Sequence, residues 1–211
     1  MLNAEKSIDR RAFLNAAALF EGGLVAVALV LAWIAGLNPV NEIIFEWSAI
    51  LWGIGGTILL SGSFLLAYLF PVRSLLQIKR FLIEALGPYL DACRWYDLLA
   101  LALLAGVGEE LLFRGVILPW LESGWGPSAG LMGSSLLFGL SHFITPMYAF
   151  LAGVVGLYLG ILLDIGEQRN LLTPMFVHAV YDLFAFIVVA RAFRAERDTG
   201  CKGSSPDDSS F

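Results

Sequence analysis

The stretch LLALALLAGVGEELLFRGVILPW, residues 98–120, reads as a lipid-facing helix interrupted by two acids and an arginine. Its apolar flanks give it about the length a helix needs to cross a hydrocarbon core at 1.5 Å per residue. Glu109, Glu110 and Arg114 sit badly in such a helix, because a charge near the bilayer centre costs about 2.5–3.5 kcal/mol on insertion scales. They belong there only if they pair with one another or face an interior that other helices share.

The rest of the chain makes that interior a reasonable expectation. Its 211 residues are 58% hydrophobic and only 15% charged, with a mean hydropathy of +0.78. Six largely apolar segments, roughly 14–37, 47–70, 96–118, 128–144, 147–163 and 171–191, predict an all-α, polytopic membrane bundle. The first run reads as a retained span and not a signal peptide, since it is long, carries Glu21 and lacks a small-residue cleavage site.

Lys and Arg set the expected orientation. They precede the first span (Lys6, Arg10, Arg11), fill the loop before the third (Arg73, Lys79, Arg80, Arg94) and follow the sixth (Arg191, Arg194, Arg197). The loops 38–46 and 119–127 have none, and 164–170 has only Arg169. By the positive-inside rule both termini are expected in the cytoplasm. Compact size and the lack of a presequence lead to the expectation of a bacterial plasma membrane.

Three regions are expected along the chain. Residues 1–95 hold two spans and a connector, 96–191 hold a core of four helices, and 192–211 form a polar, disordered tail. In the connector, VRSLLQIKRFLIEALGPYL (72–90) suits an amphipathic helix on the membrane surface, stopped by Gly87-Pro88. It reads either as a plain connector or as a surface that gathers substrate. Ala152, Gly156 and Gly160 recur every four residues in the fifth span, a small-residue face for close helix packing. The net charge of −5 comes with no basic face, so nucleic acid is not an expected partner, and Cys93 and Cys201 make no disulfide or metal pattern.

Two more polar clusters lie at membrane depth, FGLSH (138–142) and HAVYD (178–182), and they contain both histidines of the chain. Glu110 and Arg114 are four apart, the spacing of an intrahelical ion pair. Glu109 points about 100° away from Glu110, so it is expected to face the bundle interior, where a carboxylate suits a general base. Phe138 lies one turn from His142, so the rings can stack. His178 and Asp182 share the same spacing, which allows the carboxylate to orient the imidazole. The bland readings stand beside these: Glu110–Arg114 as a mainly structural pair, and each histidine as a packed, satisfied ring. One count fits poorly. From the expected boundaries Glu109 and His178 lie roughly 10–14 Å deep, but His142 comes out near 20 Å.

EELLFR, FGLSH and HAVYD resemble, in order and spacing, the EExxxR, FxxxH and HxxxN/D motifs of the CPBP family, the CAAX-protease and bacteriocin-processing (Abi) group of intramembrane proteases. The resemblance covers about residues 96–191. It implies a glutamate-dependent intramembrane endopeptidase in which Glu109 and His142 hold and activate water, Glu110 and Arg114 support them, and His178 with Asp182 serves the oxyanion. An ionised Asp182 cannot donate a hydrogen bond, so its expected role is to orient His178. The asparagine of the eukaryotic prenyl-protein enzymes is absent at this position, which weakens the inference of a prenylated substrate.

The implied partners are the lipid bilayer and a membrane-anchored or lipidated protein or peptide substrate. No cofactor is expected. A zinc variant would use Glu109, His142 and His178 as ligands, although no HExxH occurs. Two non-catalytic readings compete: an immunity or sorting scaffold of the same family, and a proton-coupled transporter using the same ionisable residues as a relay.

Overall fold

The computed structural model describes residues 9–70 and 72–202, and every regular element among them is helical. In chain order these are α1 (Arg10–Ala35), α2 (Trp47–Leu69), α3 (Arg73–Ala92), α4 (Trp95–Leu112), α5 (Leu118–Trp125), α6 (Pro127–Ser141), α7 (Pro146–Leu163) and α8 (Leu172–Lys202). The architecture is an all-α membrane bundle. α1, α7, Trp47–Ala67 of α2 and Leu172–Thr199 of α8 are long and apolar enough to cross a membrane.

The other two expected spans, in α4 and α6, are not among these four. α4 carries Asp97, Glu109 and Glu110 within its 18 residues. α6 has 15 residues, about 22 Å of helix against a hydrocarbon core of about 30 Å. α4 instead runs on through a π-helical turn, Phe113–Ile117, into α5. There Leu118 N–H bonds the Phe113 carbonyl, which also accepts the Ser134 hydroxyl of α6 at 3.0 Å. Such widened turns are frequent at functional sites, and Arg114 stands inside this one.

α4 packs between α1 and α8, α8 also carries α2 and α3, and α6 lies against α5 and α7. Without a hydrophobic drive between helices in lipid, small residues permit close backbone approach. A Cβ on Gly106 would lie 2.8 Å from the Ala179 backbone nitrogen, and one on Gly139 would lie 2.6 Å from the Ala149 carbonyl. These contacts bring α4 onto α8 beside His178 and α6 onto α7 beside His142. Exposed Trp33, Trp47, Trp95, Trp120 and Trp125 sit at or near helix ends, where an aromatic belt meets the membrane interface.

The loops fall into two sets, at opposite ends of the bundle. At one end Asn170 bonds both the N–H and the carbonyl of Ile44, and Arg169 pairs with Asp164 and with Glu122. The three loops that the charge pattern groups together therefore meet. At the other end Arg10 grips Asp97 through two bonds of 2.6 and 2.7 Å, and Asp91 of α3 takes Arg194 and Arg197 of α8.

Two further expectations are corrected at that end. Gly87-Pro88 does not stop α3, which continues to Ala92. A Cβ on Gly87 would lie 2.8 Å from the Phe193 side chain, and Leu90 beyond it is buried with Val189 and Ala190. Packing on α8 thus outweighs the one backbone bond that proline removes. The tail expected from residue 192 is helical to Lys202 as an extension of α8, held by the Asp91 pairs. Lys6 and residues 203–211 lie outside the described residues.

Burial alone would raise the Asp91 carboxyl, but the hydrogen bonds and charges of Arg194 and Arg197 outweigh it and hold the group below the ordinary carboxylate value. A depressed folded-state pKa stabilises above the unfolded value and is lost as pH falls through the folded one. The α3–α8 contact is therefore expected to hold at neutral pH and to loosen only below the ordinary carboxylate range. Limited proteolysis against pH checks this: the intact protein becomes susceptible near α3 on strong acidification, whereas Asp91→Asn is susceptible already at neutral pH.

Candidate active site

Three elements carry the site. α4 with its π-turn supplies Glu109, Glu110 and Arg114, the end of α6 supplies His142, and α8 supplies His178 and Asp182. All six polar residues singled out in the sequence come together.

Arg114 has no solvent exposure, nor has Glu110. Glu110 Oε1 accepts from Arg114 Nη1 at 2.8 Å, as the i,i+4 spacing predicts. The same oxygen lies 2.8 Å from His178 Nδ1. An ionised carboxylate only accepts, so Nδ1 carries the proton. Arg114 Nη2 donates to the Gly156 carbonyl of α7 at 2.7 Å, and its guanidinium carbon lies 4.5 Å from the Phe138 ring centroid. Glu110 and Arg114 together therefore tie α4, α6, α7 and α8. The small-residue face of α7 also has this use: a Cβ on Gly156 would stand 3.3 Å from Arg114 Nη2.

Glu109 takes a different partner, as its orientation predicts. It is buried, and its Oε2 lies 3.6 Å from His142 Nε2. His142 does not lie deep within a span. It is the residue that ends α6, and there its ring meets the Glu109 carboxylate despite the expected mismatch in depth. His142 Nδ1 lies 2.9 Å from the Phe138 carbonyl, and the two rings stack with centroids 4.6 Å apart. The carbonyl can only accept, so Nδ1 donates and Nε2 is left to face Glu109.

The expected His178–Asp182 hydrogen bond is replaced by another. Asp182 Oδ2 stands 3.6 Å from Nε2, beyond hydrogen-bond range, and Glu110 holds the ring. No in-helix spacing foreshadows this bond, because it joins residues 68 apart in sequence.

His142, His178 and Asp182 border a cavity of about 240 Å³ among α2, α3, α7 and α8. Its walls are mostly apolar, with Leu60, Phe64, Leu86, Leu151 and Phe186 among them, and Tyr148 and Tyr181 join the polar groups. Two residues near the site are not among those the sequence marks for it. Tyr148 has its ring centroid 6.4 Å from that of His142 and carried no sequence signal. Glu21 of α1 is within electrostatic reach of Glu109, His178 and Asp182; it carried one, being an acid within an apolar span. Glu21 Oε2 and Glu110 Oε2 are buried with no hydrogen-bond partner among the described residues. Among those residues no group of three His, Cys, Asp or Glu side chains that could hold a metal ion is found.

Removing one partner of a buried pair strands the other charge, at a cost of about 3–5 kcal/mol. Arg114→Leu and Glu110→Leu are each expected to lower the thermal midpoint in detergent strongly. The double variant is expected to recover much of the loss, which a double-mutant cycle on the purified proteins measures.

Residues 91–184 match the family described as type II CAAX prenyl endopeptidase, Rce1-like. No curated protein and no solved structure matches the chain. The matched segment begins near the end of α3, reaches into α8 and contains all three polar clusters. This family is one of proteases, and the apolar helices place the chain in a membrane. Over residues 91–184, a little under half of the chain, the protein is similar to the Rce1-like type II CAAX prenyl endopeptidase family.

Proposed function

We propose that the protein is an intramembrane endopeptidase that hydrolyses a peptide bond of a membrane-anchored or lipidated protein or peptide, with Glu109 as general base. The observation that carries this reading is the Glu109–His142 pair. Two acceptor atoms 3.6 Å apart suit one water molecule, which gives an O–H to each at about 2.8 Å and keeps a lone pair for the scissile carbonyl. Glu109 takes the proton as the water oxygen bonds to the carbonyl carbon. The tetrahedral intermediate then collapses, the C–N bond breaks, and the proton passes to the leaving amine. Glu110 and Arg114 fix the helices around the site, Glu110 orients His178, and His178, with the Asp182 charge beside it, supports the oxyanion.

The apolar cavity supports the substrate class, since it accepts a greasy segment and ends at the polar groups. Its position within the membrane bundle favours a substrate that arrives through or along the lipid. The chain's small size suits a bacterial plasma membrane, which is the setting we propose.

The reaction as proposed needs no metal. An internally quenched peptide ending in a farnesylated CAAX box, given to the purified protein in lipid nanodiscs, tests the reading. Glu109→Ala and His142→Ala are each expected to lower kcat by about 100- to 10,000-fold, with insertion and thermal midpoint retained. Chelators are expected to leave the rate unchanged. Inactivation by 1,10-phenanthroline with recovery on added zinc would overturn the metal-free mechanism.

A further inference from the structure

Attack on a peptide carbonyl places a negative charge on its oxygen, and that charge needs hydrogen-bond donors already in place. The site is rich in acceptors and poor in donors. Glu109, Glu110 and Asp182 only accept when ionised, and Glu21 adds a fourth carboxyl nearby. Arg114 is fully buried, with one terminal nitrogen on Glu110 and the other on the Gly156 carbonyl. Each histidine commits Nδ1, His142 to the Phe138 carbonyl and His178 to Glu110. That leaves His142 Nε2 facing Glu109 and His178 Nε2 facing Asp182, each at 3.6 Å.

The two phenols that border the cavity beside these groups, Tyr148 and Tyr181, are the neutral donors that remain. They are not equivalent. Tyr181 packs edge-on against Phe64 at 5.8 Å between centroids, and its charged neighbour is Asp182. Tyr148 has its ring centroid 6.4 Å from that of His142 and borders the cavity together with His178 and Asp182, so it lies beside both the water-holding arm and the α8 arm. Its hydroxyl makes no hydrogen bond among the described residues, while its backbone N–H is pinned at 3.1 Å by the Thr145 side chain that caps α7. Pro146 follows that cap with φ already suited to a helical start. The phenol thus projects from a fixed helix end, with few rotatable bonds and a free O–H.

We propose that Tyr148 is a further catalytic residue, whose phenolic O–H donates a hydrogen bond to the oxyanion formed when the water held by Glu109 and His142 adds to the scissile carbonyl. The assignment rests on the endopeptidase reading above. No bond to Tyr148 forms or breaks during the cycle; the O–H donates and stays protonated throughout.

Tyr148→Phe tests it by removing one oxygen and keeping the ring. The protein in lipid nanodiscs is assayed with the same farnesylated quenched peptide, beside Glu109→Ala. Tyr148→Phe is expected to lower kcat by about 100- to 1,000-fold, the usual effect of losing one oxyanion donor, with KM within about twofold of the intact protein. A peptide aldehyde of matching sequence, whose hydrate mimics the tetrahedral intermediate, is expected to lose inhibitory potency by a similar factor, while competition by an uncleavable peptide amide stays unchanged. A merely structural role would weaken aldehyde and amide alike. If Tyr148→Phe cleaves at nearly the intact rate while Glu109→Ala is inert, the assignment to Tyr148 is wrong and the protease reading stands. If the intact protein cleaves no faster than Glu109→Ala, the endopeptidase reading falls and takes this assignment with it.

Discussion

A guanidinium with no access to water has to be neutralised where it stands, and in this bundle Glu110 does so for Arg114. Desolvating both groups is expensive, and their attraction offsets the cost only when the remaining donors and lone pairs are also satisfied. Here a second bond to Glu110 comes from His178 of α8 and the other guanidinium arm goes to the backbone of α7, while Glu110 Oε2 and Arg114 Nε have no partner among the described residues. One pair therefore fixes the spacing of three helices and aims an imidazole. The orientation of every other polar group in the site is read from that frame.

The frame also explains why the remaining groups are free to act. Glu109, the neighbour of Glu110, is turned away from Arg114 by the pitch of the helix and is left facing His142. His142 stands at the end of α6, held there by its ring nitrogen on the Phe138 carbonyl. Close approach of α6 to α7 at Gly139 packs that helix end against its neighbour. Around this polar cluster the walls are Leu, Phe and Val, so the reacting groups meet an apolar chamber on one side and packed helices on the other.

Interactions within one helix were legible from the residues alone, because 3.6 residues per turn dictates who stands above whom. The Glu110–Arg114 pair, the Phe138–His142 stack and the separate direction of Glu109 all follow from that geometry. Interactions between helices were not. The Glu110–His178 bond, the Gly156 carbonyl under Arg114 and the approach of Glu21 each depend on how helices far apart in sequence pack. Element limits failed where tertiary contacts override local signals: Phe193 packs over Gly87-Pro88, and Asp91 holds a tail whose composition reads as disordered. Two of the six expected spans also differ from the other four in length or apolarity. α4 and α6 are tolerated inside the bundle by their neighbours, and neither has the length and apolarity of a self-sufficient span.

Glu109 is the residue on which the functional account turns, and the most direct test compares membrane-protein termini in cells making the intact protein or Glu109→Ala at matched levels. New N- and C-termini that appear only with the intact protein are the predicted result, and their positions define the substrate class. Indistinguishable profiles in cells where the farnesylated CAAX substrate is present, with the variant folded and inserted, would contradict the account.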